Sequence, residues 1–163
     1  MSIEQDLAKI ALQEQTLRFE RFDENTAWEI GSRLRAAAEK RGAPLAIDIT
    51  MGGHTVFASA LPGTSPNNDN WVRRKRNTVL HFYRSSYGFG LQLEHDKTDF
   101  VAKFAQPLCD YAMHGGSFPI RLVGGNLIGA ITVSGLPQRE DHKIVVEILA
   151  VFLGKSLEGL QLD

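Results

Sequence analysis

The stretch Leu45-Ala-Ile-Asp-Ile-Thr-Met51, Gly52-Gly53, His54-Thr-Val-Phe-Ala-Ser-Ala-Leu61 reads as two strands joined by a two-glycine turn. β-Branched and apolar residues recur on both arms, and paired glycines supply the positive-φ conformations that a tight hairpin turn demands. Pairing must be antiparallel, because so short a connection cannot carry the chain back for a parallel register. A second pair repeats the form: Phe118-Pro-Ile-Arg-Leu-Val123, Gly124-Gly125-Asn126, then Leu127-Ile-Gly-Ala-Ile-Thr-Val-Ser134. Its returning arm is apolar almost throughout, which predicts a place in the middle of the sheet.

Helices surround these hairpins. Ile3, Leu7, Ile10 and Ala11 follow helical spacing behind a Ser2/Gln5 capping box, predicting a helix over 3–14. Thr16 to Glu20 alternates like a short strand, and Asp23 to Thr26 opens a second helix that runs to Arg41 and stops at Gly42. Pro62 to Asn70 reads as an exposed, mobile loop, followed by a third helix from Asn70 to Arg84. Ser85-Ser-Tyr-Gly-Phe-Gly90 resembles a break, with helical turns over Asp99 to Ala105 and Cys109 to Met113. A last helix follows Pro137, with Glu140 and Asp141 in its first turn, where negative charge suits the helix dipole. This order predicts an α+β fold, an antiparallel five-stranded sheet flanked by helices, with residues 1–163 forming one domain.

The 163 residues carry 18 basic and 19 acidic side chains for a net charge of -1, and 43% are hydrophobic. A chain of this length buries roughly two-thirds of its surface without help from disulfides. Near-neutrality removes the global signature of a nucleic-acid binder, and Arg73-Arg-Lys-Arg76 fans around a helix rather than forming one patch. The longest apolar run, Ile144 to Leu153, is broken by Glu147 and too short for a bilayer, so no membrane is expected. An acidic N-terminus unlike a signal peptide and a lone Cys109, read as buried filler, point to a reducing cytoplasm.

Chemistry concentrates in two places. In the third helix, Trp71, Val72, Val79, Phe82 and Tyr83 share a face, and Lys75 falls at its centre. A lysine on an apolar stripe needs a carboxylate, and Asp48 and Asp141 are the candidates for a structural ion pair. The second place is His114-Gly115-Gly116, where glycines let a ligand reach main-chain amides beside an imidazole. His114, Gly115, Gly116, Lys75 and Asp141 are therefore the expected ligand-binding set. His142 reads as an exposed first-turn histidine, and His54, His81 and His95 have no supporting motif. No Cys/His spacing matches a metal site, and no serine or cysteine sits in a nucleophile arrangement, so catalytic residues stay unassigned.

Asp48 on a strand, Lys75 in the Trp71-Val-Arg-Arg-Lys75 run, His114-Gly-Gly-Ser-Phe-Pro-Ile120, Gly124-Gly-Asn-Leu-Ile-Gly-Ala-Ile-Thr-Val-Ser-Gly135 and Glu140-Asp141 together resemble the haem-degrading domain family, also called GlcG-like. The resemblance covers almost the whole chain. It implies a profilin-like fold and assembly into dimers or larger rings. Some relatives are similar to haem-binding sensors or to the haem-binding domain of a cobalamin adenosyltransferase, and one eukaryotic relative to a tail-anchored-protein delivery factor. Haem ligands vary among them, so no histidine here is carried over as an iron ligand.

Three classes of function stay open. The leading one is a cytoplasmic, homo-oligomeric small-molecule-binding module, with haem one candidate ligand. The second is an oligomeric protein-interaction factor without catalysis. The third is an acid/base enzyme on a small polar substrate, using Lys75, Asp141 or His114.

Overall fold

The structure, a computed structural model, describes residues 1–163. Elements follow in the order α1 Ile3–Thr16, α2 Glu24–Arg41, β1 Ala46–Met51, β2 His54–Ala60, α3 Pro66–Phe82, α4 Ser86–His95, α5 Phe100–Phe104, β3 Ser117–Arg121, β4 Leu127–Ser134 and α6 Gln138–Phe152. Both hairpins form as the glycine turns require, and the sheet order is β2-β1-β4-β3, antiparallel throughout. The apolar arm β4 lies inside the sheet.

The sheet has four strands, not five. Residues around Phe19 make only one parallel bridge, with Phe19 N–H donating to Arg121 O and Val123 N–H to Phe19 O. The α1 helix runs on through Thr16, and the Asp23 cap of α2 follows closely, so too little chain remains to extend the pairing.

Strand alternation gives the sheet two unlike faces. Ile47, Ile49, Phe57, Ile131 and Val133 join the main core with α2 and α6 residues such as Ile30, Leu34, Ile144 and Leu149. The opposite face carries Asp48, Thr50, Ser117 and Thr132, all buried. These bond to one another: Thr50 Oγ1 donates to Asp48 at 2.9 Å, and the Ser117 and Thr132 hydroxyls lie 2.8 Å apart. Helix α3 packs on this polar face, so a lysine on its inner side meets acceptors rather than hydrocarbon.

Two other expectations need correction. Pro66 opens α3 behind a Ser65/Asn68 capping box, because a proline at the first helical position forfeits only an amide that has no helical partner. The preceding loop is correspondingly shorter. Ser86 to Gly90 is helical: a Cβ at Gly88 would lie 2.8 Å from Ile10 and one at Gly90 2.0 Å from Met113 O. Those glycines serve close packing, not a break.

Candidate functional site

Lys75 is 3% exposed. Its Nζ donates to Asp141 Oδ2 at 2.9 Å and to Val133 O at 3.1 Å. Asp141, 1% exposed, also accepts the Leu136 N–H through Oδ1 at 3.0 Å, which fixes the carboxylate in the turn leading into α6. Of the two expected partners, only Asp141 meets Lys75. Asp48 accepts instead from Arg76 at 3.0 Å, so the residues named for one ion pair form two. Burial pushes the Lys75 amine below the ordinary lysine value and the Asp141 carboxyl above the ordinary carboxylate value, with their mutual attraction opposing both shifts.

The His114-Gly-Gly turn closes over this pair. Gly116 has φ +132°, and a Cβ there would lie 2.4 Å from Val133 O and 2.8 Å from Lys75 Nζ. Only a glycine lets the chain pass so near the ammonium. Gly115 N–H donates to Gln138 Oε1 at 3.2 Å, tying the turn to the start of α6. His114 stands exposed at the rim, its ring edge-on to Trp71 with centroids 5.0 Å apart. Burial, then the nearby charges of Lys75 and Arg74, lower its pKa and favour neutral imidazole.

Segment 108–113 lies along α3 and carries the turn into place. Arg74 stacks its guanidinium 4.7 Å from the Trp71 ring and donates to Leu108 O, while Asn77 donates to Asp110 O and Ala112 N–H to Arg74 O. The Arg73-Arg-Lys-Arg76 run is thus consumed residue by residue: Arg73 meets Asp110, Lys75 meets Asp141, and Arg76 meets Asp48. The result is a cleft of about 290 Å³ floored by Lys75 and Asp141, walled by Trp71 and His114, and edged by Asn67, Asn68, Gln138 and residues 134–136. The turn before α6 ends at Pro137, which offers no side-chain cap.

Asn67, Gln138 and the wall role of Trp71 were not among the expected site residues. The sequence carries no signal for Asn67 and Asn68, which fall in the stretch read as a loop and enter the first turn of α3 only in the structure. His142 and Cys109 depart from expectation: His142 is 1% exposed and Cys109 is exposed. Gln13 explains the first, donating to Leu160 O at 2.6 Å and accepting from His142 Nε2 at 2.7 Å, which leaves Nδ1 unpartnered.

Known proteins share this architecture. The sequence profile described as "Haem degrading protein HbpS-like" matches residues 22–150. The chain belongs to that family. It is 53% identical to a UPF0303 protein of Rhizobium meliloti, spanning 100% of this chain and 99% of the relative. A UPF0303 protein of Acidobacterium capsulatum is 51% identical over 94% of this chain and 93% of its own. The crystal structure of Ybr137w superposes with a TM-score of 0.82 at 31% identity, covering 95% of this chain and 90% of that one. HbpS and a PduOC–haem complex share the fold at TM-scores of 0.64 and 0.63, with 19% and 15% identity; the alignments cover 82% and 76% of this chain and 91% and 89% of theirs.

The family description implies haem, and the cleft does not fit it. A haem macrocycle needs a broad apolar slot, whereas only two of the ten residues lining this cleft are hydrophobic and its volume is about 290 Å³. The unpartnered His142 Nδ1 offers no alternative, because the Tyr87 and Phe118 rings pack against that imidazole.

Proposed function

We propose that the chain is a small-molecule-binding protein, homo-oligomeric and cytoplasmic, whose ligand is a small polar molecule held in the Lys75–Asp141 cleft. The observation that carries this reading is convergence. Helix α3, the His114–Gly116 turn and the start of α6 bring Lys75, Trp71, His114 and Asp141 to one concavity. An aromatic wall, amide groups and a buried ion pair suit recognition of a compact polar solute with one flat face. Native mass spectrometry of the purified protein tests it. A co-purifying small molecule, released from wild type and absent from Lys75→Met/Asp141→Leu, is expected; equal retention by both proteins contradicts the site.

Assembly has its own support. The sheet order leaves the outer edge of β2 unpaired, and this strand carries neither proline nor a lysine or acid to block pairing. Trp28, 68% exposed, stacks edge-on to Phe57 of β2 with ring centroids 5.8 Å apart. A second copy pairing along β2 would satisfy the edge and cover Trp28.

A further inference from the structure

We propose that Lys75 captures a small polar aldehyde or ketone as an imine on its side-chain nitrogen, with Asp141 carrying the protons. This rests on the cleft being a ligand site, and it names the class of ligand and the bond formed. Lys75 Nζ uses two of its three N–H groups, on Asp141 Oδ2 and Val133 O, and it lines the cleft. Gly116 keeps a side chain off one flank of the amine, where a Cβ would lie 2.8 Å away. Asp141 is also aimed: the Leu136 amide holds Oδ1, leaving Oδ2 on the amine. A lysine amine becomes nucleophilic when desolvation favours its neutral form, and burial acts in that direction on Lys75.

The step balances within these groups. The ammonium passes a proton to Asp141 Oδ2, and the free nitrogen pair attacks the carbonyl carbon. The C=O π pair moves to oxygen, which takes the proton from Asp141 and gives the hydroxyl of a carbinolamine. The nitrogen returns a proton to Asp141, which delivers it to that hydroxyl as the nitrogen pair expels water. One ammonium and one carbonyl thus become one iminium and one water, and Asp141 ends as the carboxylate it began.

Glycolaldehyde and pyruvate are suitable probes, trapped with cyanoborohydride on the intact wild-type protein and mapped by peptide mass spectrometry. Lys75 is the one lysine desolvated at the cleft floor, so the trapped adduct is expected to be most abundant there and weaker on each of Lys9, Lys40, Lys97, Lys103, Lys143 and Lys155. Lys75→Arg, which keeps a cation opposite Asp141, is expected to lose that adduct alone. Thermal midpoints with each probe, measured without reductant, run in parallel. Saturable stabilisation with no preference for Lys75 in the adduct map overturns the imine and leaves the cleft a binding site. Neither stabilisation nor a Lys75 adduct overturns the imine and counts against the cleft as well.

Discussion

Lys75 Nζ and Asp141 Oδ2 lie 2.9 Å apart with side-chain exposures of 4% and 1%, so each charge relies on the other at the little-exposed floor of the cleft. Such a pair contributes little net stability compared with hydrocarbon, yet losing one partner strands a buried charge. Lys75→Met is therefore expected to lower unfolding free energy by about 3–5 kcal/mol. Lys75→Met/Asp141→Leu should recover most of that loss. Urea denaturation of both variants checks the ordering, and a double variant as unstable as Lys75→Met would contradict it.

Gly116 makes a sharper case for backbone placement. Gly116→Ala puts a methyl 2.4 Å from Val133 O at φ +132°, whereas Gly42→Ala, at φ +61°, meets nothing within 4 Å. The first is expected to cost several kcal/mol and the second about 1 kcal/mol. Thermal midpoints of the two variants measure the difference.

Acid should weaken the fold through His142. Burial, followed by the charge of Arg139, lowers its pKa to about 3, against an unfolded value near 6.5. The unfolded chain then binds a proton between those pH values that the folded chain refuses. Stability from this residue is complete above about pH 6.5 and declines as pH falls toward 3. Urea midpoints across pH 3–7 should drop more steeply for wild type than for His142→Phe, and parallel slopes would contradict the assignment.

Haem provides a separate check. Titrating haemin is expected to give the same Soret spectrum in wild type and His114→Ala, because His114 faces Trp71 rather than an apolar slot. A Soret shift that His114→Ala abolishes would place iron at this cleft.

If copies pair along β2, a charge on that edge should separate them. Ala58→Lys combined with Trp28→Ser is expected to reduce the mass in light scattering, since both changes fall on surface exposed in the protomer. An unchanged mass would assign assembly to another face.

The two hairpins and the last helix could be read from local patterns because glycine turns and apolar alternation are local signals. Lys75 was conspicuous for the same reason, sitting among apolar neighbours. Its partner was not, since Asp48 and Asp141 are equally acidic in the sequence and only the third dimension separates them. The environment of α3 was also hidden: its inner side faces hydroxyls and carboxylates, a consequence of which strand face turns inward. Tertiary packing likewise decided α4, whose glycines look like breakers until Ile10 and the Met113 carbonyl are seen against them. His142 was hidden for a similar reason, because Gln13 lies far away in the sequence.

The cleft itself can be interrogated through Trp71. Trp28→Phe leaves Trp71 the only tryptophan, and its emission can be followed while glycolaldehyde, pyruvate, small hydroxy acids, amides and sugar phosphates are titrated in. A saturable change with at least one of them, abolished when Lys75→Met/Asp141→Leu is added, is the predicted result. No change across the panel, or a change that survives the added substitutions, would contradict a ligand site built on Lys75 and Asp141.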